Sequence, residues 1–290
     1  RHRARMLSAQ IRYKRLDPNL SLYQTPTQTL YWLNPWIEAG VDRAEIKKVS
    51  ANAYLKKGDG IYFSRAISEK EWSHLVSYKM SMYYIIDDDY EALGKDESVP
   101  EDYKNKMGKF SECVLPRILA NPLVKLYAGS KVLAVKYGCE VLNPCWLLPP
   151  MGESKKAVSK NCLHIGFLSS ASHLGDFQYF LREWLPLLND CLASIGRKIS
   201  ITHYLRSHID IRNIPEYPLI ELRHEFAMPW PVYRHEIPRI GFDAIVCPRL
   251  DTQVNHARSR NKEAEAEMLG LSLFEDPMAF FDWLRAKGIS

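Results

Sequence analysis

The chain has 290 residues, 46% of them hydrophobic and 25% charged, which excludes a disordered or fibrous protein. Its formal charge of +5 is modest, and no recognisable nucleic-acid-binding motif accompanies it, which argues against a nucleic-acid partner. No segment approaches the roughly 20 apolar residues that span a bilayer, and none reads as a signal peptide.

Basic residues gather at the start: Arg1, Arg3, Arg5, Arg12, Lys14 and Arg15 all precede the first acid, Asp17. They read as a solvated, frayed end or as a basic segment that touches anionic lipid. Residues 17–40 show no clear periodicity. Gly60 to Ser64 is expected as a buried strand. Ser68 to Met80 is expected as a helix, with Ser68 and Glu71 forming a capping box. Met82 to Ile86 is a strand that runs into Asp87, Asp88 and Asp89. The stretch from Glu101 to Ala128 reads as helix broken near Pro116 and Pro122. Lys131 to Lys136 reads as a short strand, and Asn143 to Pro150 as a linker.

The second half begins with a strand, Leu163 to Leu168, and a small-residue turn. A helix follows, its buried face marked by Phe177, Phe180, Leu181, Trp184, Leu188, Cys191, Leu192 and Ile195 at a 3.6-residue period. Gly196 ends it. Strands are expected at Ile199 to Leu205, Leu219 to Leu222, Ala244 to Cys247 and Leu271 to Phe274. Helices are expected near Pro231 to Ile240, from Ala257 to Leu269, and after Asp276 and Pro277. Alternating strands and helices imply parallel sheets joined by crossovers. The predicted fold is α/β, with two Rossmann-like domains, residues 1–150 and 151–290, facing a cleft. The six cysteines form no C-x-x-C pair, so they read as reduced core residues of a cytoplasmic protein, without metal or disulfide.

Three constellations carry chemistry. Asp87, Asp88 and Asp89 follow a buried strand, at the sheet edge where α/β proteins bind ligands. They are open to metal ligation, to work as a base, to binding sugar hydroxyls, or simply to capping the next turn. Gly166, Ser169, Ser170 and His173, with Asp176 beyond, form a strand-to-helix turn suited to an anion. His173 is placed to donate to a phosphate or a hydroxyl. Asn255, Arg258, Ser259, Lys262 and Glu265 follow a buried strand into a helix, where Lys262 can pair with a diphosphate and Glu265 can accept from hydroxyls. The plain alternative for that stretch is an exposed, alanine-rich helix.

Together these segments resemble the group 1 family of GT-B glycosyltransferases. The branch in question carries a Y-D-I-D-D-D strand and an F-N-x-A-K-S-x-x-K-x-x-E-Y-A-A-L-G helix. Tyr84-Ile85-Ile86-Asp87-Asp88-Asp89 is similar to the first. Asn255, Ala257, Arg258, Ser259, Lys262, Glu265 and Gly270 match the second in register. Between them Ile165, Gly166, Phe167, His173 and Asp176 resemble the family's I-G-Y-x-G-x-x-x-H-x-x-D. The chain departs from the pattern at Ile85, at Ser169, and at Ala257, where the wider family often carries a glutamate.

The resemblance implies a GT-B-like fold and metal-independent transfer from a nucleotide-sugar donor to a glycan or lipid-linked acceptor, with no further cofactor. Arg258 and Lys262 would face the donor phosphates and Glu265 the ribose or sugar. Asp87 to Asp89 would line the acceptor side. Two other readings remain: a metal-dependent GT-A-like transferase using Asp87 and Asp89, and a non-catalytic binding module.

Overall fold

The computed structural model describes residues 2–148, 162–169, 173–204 and 215–288. The chain begins with α1 (His2–Leu16), then α2 (Pro26–Gln28), a π-helical turn (Thr29–Leu33) and α3 (Asn34–Glu38). There follow β1 (Ile46–Ser50), β2 (Ala53–Lys56), β3 (Gly60–Ser64), α4 (Glu69–Val76), β4 (Met82–Ile86) and α5 (Tyr90–Leu93). Next come α6 (Glu101–Cys113), α7 (Leu115–Leu119), β5 (Val124–Ala128), α8 (Lys131–Tyr137) and β6 (Glu140–Val141). The six strands form one sheet in chain order. β1, β2 and β3 pair antiparallel, whereas β3 to β6 run parallel.

The second sheet is built from β7 (Cys162–Phe167), β8 (Lys198–His203), β9 (Ile220–His224), β10 (Ala244–Val246) and β11 (Ser272–Phe274). Around it lie α9 (Leu174–Tyr179), α10 (Leu185–Ile195), α11 (Trp230–Ile240), α12 (Gln253–His256), α13 (Asn261–Leu269) and α14 (Pro277–Gly288). A π-helical turn (Phe180–Trp184) joins α9 to α10. All pairings in this sheet are parallel, in the order β11-β10-β7-β8-β9. The strand order reverses between β7 and β10. Connections there leave in opposite directions and open a crevice at the carboxyl ends of the strands. Both halves are therefore α/β and compatible with Rossmann-like domains; the second sheet is parallel as the alternation of elements predicts, whereas the antiparallel pairing of β1, β2 and β3 departs from the parallel sheet expected in the first, because short connections join those strands directly.

Four local expectations need correction. Lys131 to Lys136 forms helix α8, not a strand: Ser130 Oγ caps it by accepting from Leu133 N at 3.3 Å. Val124 to Ala128 forms β5 instead of helix, because Pro122 stops α7's course and the segment is held on both sides by β4 and β6. Glu71 does not complete a capping box. Its N–H donates to Ser68 Oγ at 3.1 Å, but its carboxylate crosses to Asn52 Nδ2 at 3.2 Å. The helix expected from Ala257 begins only at Asn261, so Ser259 precedes it.

The N-terminal segment is helix, and it docks on the second half. The Tyr13 ring stacks on His235 of α11 with centroids 4.5 Å apart and planes 8° from parallel. Arg239 Nη1 donates to the Tyr13 hydroxyl at 2.7 Å. Arg12, Lys14 and Arg15 lie on the exposed side of α1. Arg1 and the side chains of Arg3 and Arg5 fall outside the described residues, as does the Pro149-Pro150 linker. Among the described residues no helix is long and apolar enough to cross a membrane.

The halves share cores instead of merely touching. Val254 and Ala257 of the second half are buried in the core that covers the first sheet. Val232 of α11 joins the cluster of Tyr13, Trp32 and Leu33. Full burial of a side chain such as valine stabilises by ~1.5–3 kcal/mol, so these few residues tie the halves firmly. Gly129 and Gly175 permit the closest approaches. A Cβ on Gly129 would meet Ser259 Cβ at 2.9 Å, and one on Gly175 would meet Ser98 Cβ at 2.6 Å.

Candidate functional site

The carboxyl edges of the two sheets face one another across a cleft of about 640 Å³. Arg65, Asp87 and Asp88 line it from the ends of β3 and β4. Ser169, Arg249, Arg258 and Lys262 line it from the β7 and β10 side. Trp146, Trp230 and Tyr233 add an aromatic wall, with Trp230 stacked on Tyr233 at a centroid distance of 5.6 Å.

The three aspartates fare differently. Asp87 is almost fully buried, and both its oxygens are occupied. Thr27 Oγ1 donates to Oδ2, and the Tyr90 hydroxyl donates to Oδ1 at 2.7 Å. Asp89 is also buried and does not line the cleft. It caps α5 through Ala92 N at 3.1 Å, and Lys136 Nζ binds its two oxygens at 2.8 and 3.0 Å. Gln253 Nε2 adds a fourth bond to it at 3.2 Å. Asp88 points into the cleft and receives no hydrogen bond from any described residue. Burial and the neighbouring Asp87 charge push its pKa up to about 7, against the pull of Arg258 and Arg65.

This donor set does not suit a divalent cation as it stands. Asp87 is spent on hydroxyl donors and Asp89 on a lysine, so a cation between them would have to displace those partners.

On the facing edge a buried network holds one cation. Arg258 Nε donates to Asn255 Oδ1 at 2.6 Å, and its Nη1 lies 2.7 Å from His173 Nε2. A guanidinium only donates, so Nε2 accepts and the imidazole proton sits on Nδ1. That proton is given to Asp176 Oδ2 at 2.9 Å. Asp176 Oδ1 in turn accepts from Asn255 Nδ2 at 2.8 Å and Leu250 N at 3.0 Å. Burial, then the charge of Arg258, lowers the His173 pKa to about 4. His173 is thus neutral with both ring nitrogens engaged. It positions Arg258 and has no N–H left for a phosphate or sugar hydroxyl.

Lys262 sits in the first turn of α13, with Nζ 2.6 Å from Glu265 Oε2. Glu265 is 1% exposed, and its other oxygen accepts from the Tyr233 hydroxyl at 2.7 Å. The exposed-helix alternative for this stretch therefore fails: Glu265 and Ala266 are buried. The N-cap residue Arg260 makes no side-chain cap, and no described residue accepts from the first N–H groups of α13, which lie at the cleft end with Asn261 and Lys262. Ser259 also lines the cleft, and Asn255 supports Arg258 from behind. Gly166 lies within β7 against Leu168 and Phe242, away from the cleft lining. Ser170 falls outside the described residues.

Sequence reasoning missed Arg65. Its φ of 66° is left-handed, a conformation that costs a non-glycine residue ~1–3 kcal/mol and that gathers at functional sites. It directly follows a strand already read as buried, so the sheet-edge argument used for Asp87 applied to it equally. The aromatic wall was missed because its residues come from separate stretches of chain.

Comparisons with protein-family models, curated proteins and solved structures find no match for this chain.

Proposed function

We propose that this protein is a GT-B-type glycosyltransferase whose second half holds the diphosphate of a nucleotide-sugar donor. The observation that carries this reading is the fixed pair of cations, Arg258 and Lys262. They stand beside an uncapped helix N-terminus at the switch point of a Rossmann-ordered sheet. Nucleotide phosphates bind at such crevices, where positive charge and free N–H groups converge. Held in place before the ligand arrives, these groups can meet the charge that builds on a departing phosphate without reorganising. The first half then presents the acceptor to the sugar. The aromatic wall of Trp146, Trp230 and Tyr233 offers flat faces to a base or a sugar ring.

Calorimetric titration with UDP, GDP and ADP tests the reading. One of them is expected to bind in excess chelator. Lys262→Ala should weaken that affinity by ~1.5–3 kcal/mol, the usual range for a charge-assisted contact. Binding that vanishes with chelator and returns with magnesium or manganese would replace this reading with the metal-dependent one. A folded protein that binds no nucleotide would leave a non-catalytic module.

A further inference from the structure

We propose that the first-half wall of the cleft carries an anion subsite built on Arg65 and Tyr103, and that the sugar receiving the transferred group bears a phosphate or carboxylate that seats there. The inference rests on the donor reading above and names the class of its second substrate. It starts from how the cations of the cleft are used. Arg258 is bonded to Asn255 and His173, Lys262 to Glu265, and Arg249 to Glu263 and Glu275. The Arg65 side chain lines the same cleft with no hydrogen bond and no ion pair to any described residue. Its left-handed backbone is anchored to β4, where the Tyr84 hydroxyl donates to the Arg65 carbonyl at 3.2 Å.

A second unspent donor stands beside it. Tyr103 of α6 lines the cleft within reach of the Arg65 charge, and its hydroxyl has no hydrogen-bond partner among the described residues. Burial, then the charge of Asp88, raises the Tyr103 pKa, so the hydroxyl keeps its proton and donates. A guanidinium can only donate, and a half-buried phenol needs somewhere to place its hydrogen. Two such donors side by side, with no accepting oxygen from the protein, match an oxyanion, and the planar Arg fork suits a carboxylate or a phosphate equally. Thr25 lines the same wall; its hydroxyl accepts from Gln28 N at 3.3 Å and keeps its own proton for a ligand. Asp88 is the group that would oppose an anion. Burial and the Asp87 charge push its pKa up to about 7 against the pull of Arg258 and Arg65, so a protonated form that donates instead of repelling is within reach near neutrality. The Asp87 carboxylate itself is occupied by the Thr27 and Tyr90 hydroxyls.

Calorimetric titration of the protein saturated with its preferred nucleoside diphosphate tests this, because the donor cations are then occupied. The probes are glucose, galactose and mannose, each compared with its 6-phosphate and its uronate. At least one anionic sugar is expected to bind about tenfold or more tighter than its neutral parent, the effect of one charge-assisted contact. Preference for the phosphate or for the carboxylate supports the subsite and names its ligand. Arg65→Gln should abolish the preference while nucleotide affinity stays within about twofold of wild type, and Tyr103→Phe should weaken it about threefold. Asp88→Asn, which removes the opposing charge and keeps a donor, should retain it. Equal binding of neutral and anionic sugars, binding of neither, or a preference that survives Arg65→Gln overturns the subsite while nucleotide binding still stands. A wild type that binds no nucleotide sinks the donor reading; the same sugars titrated without nucleotide then decide the subsite, which falls if Arg65→Gln binds the anionic sugars as wild type does.

Discussion

The turn after β4 and the stretch after β10 occupy equivalent places, each at the carboxyl edge of a parallel sheet, yet they treat charge in opposite ways. After β4 the chain sets down three carboxylates in a row and neutralises two of them with donors from elsewhere. After β10 it sets down Arg258 and Lys262, and the partners of these cations hold them facing the cleft. Asp176 and Glu265 are buried, so they act as struts whose charges are offset within the wall. A ligand lying between the edges meets fixed positive charge on one side and a single titrating acid on the other. A charged residue's role thus depends on whether its partners consume it or merely aim it.

Removing a strut should do the most damage. Asp176→Ala leaves the His173 Nδ1–H and Leu250 N without their acceptor in a buried site, and Asn255 Nδ2 with only the Leu250 carbonyl. Urea unfolding should show a loss of about 3–4 kcal/mol, the scale seen when one member of a buried ionic network is deleted. A loss below about 1 kcal/mol would mean that Arg258 is not held in the way described.

A consumed carboxylate should cost less. Asp89→Ala removes the cap of α5 and leaves Lys136, which is only partly exposed, with Glu91 as its remaining partner. The expected loss is about 2 kcal/mol, from the cap and the ion pair together. Nucleotide affinity should stay at the wild-type value, because Asp89 does not line the cleft. A change in affinity without a change in stability would place Asp89 in the site after all.

The smallest effect has the opposite sign. Asp88 has a folded pKa raised to about 7, so between roughly pH 4 and 7 the native state binds more protons than the unfolded chain. Its contribution therefore falls as pH rises through that window. His173, lowered to about 4, works the other way: its contribution is complete above pH 6.5 and is lost as pH falls toward 4. In wild type the two trends oppose each other. Asp88→Asn should match wild type near pH 4 and be more stable by on the order of 1–2 kcal/mol at pH 8. It should also unmask the rise contributed by His173. A variant less stable than wild type at pH 8 would show that Asp88 has a partner holding it ionised.

Much of the frame is legible in the linear chain. Gly60 to Ser64, Met82 to Ile86 and Ala244 to Cys247 read as buried strands from their apolar runs, and each lies within a residue of its observed place. Such runs have to be buried, and burial at that length selects strand. Lys131 to Lys136 misled because a short run of Val, Leu and Ala fits either strand or helix. There a hydroxyl at Ser130, binding both Leu133 N and the distant Ala257 carbonyl, settles the matter.

The linear chain carries the α/β class, most elements of the second half, and the segments that bring charge to the sheet edges, while α1, β1, β2, β5, α8 and β6 were missed or misread. What it carries follows from local apolar periodicity and from the residue types beside it. Which of those charges are available depends on packing. Asp87 is matched with Thr27, Asp89 with Lys136, and His173 with Arg258, across separations of 60, 47 and 85 residues. A carboxylate's free energy depends on the dielectric and the donors around it, and at Asp87, Asp89 and His173 those donors come from distant parts of the chain. The same three-aspartate turn therefore holds a buried acceptor, a half-buried acid and a helix cap. Only packing distinguishes them.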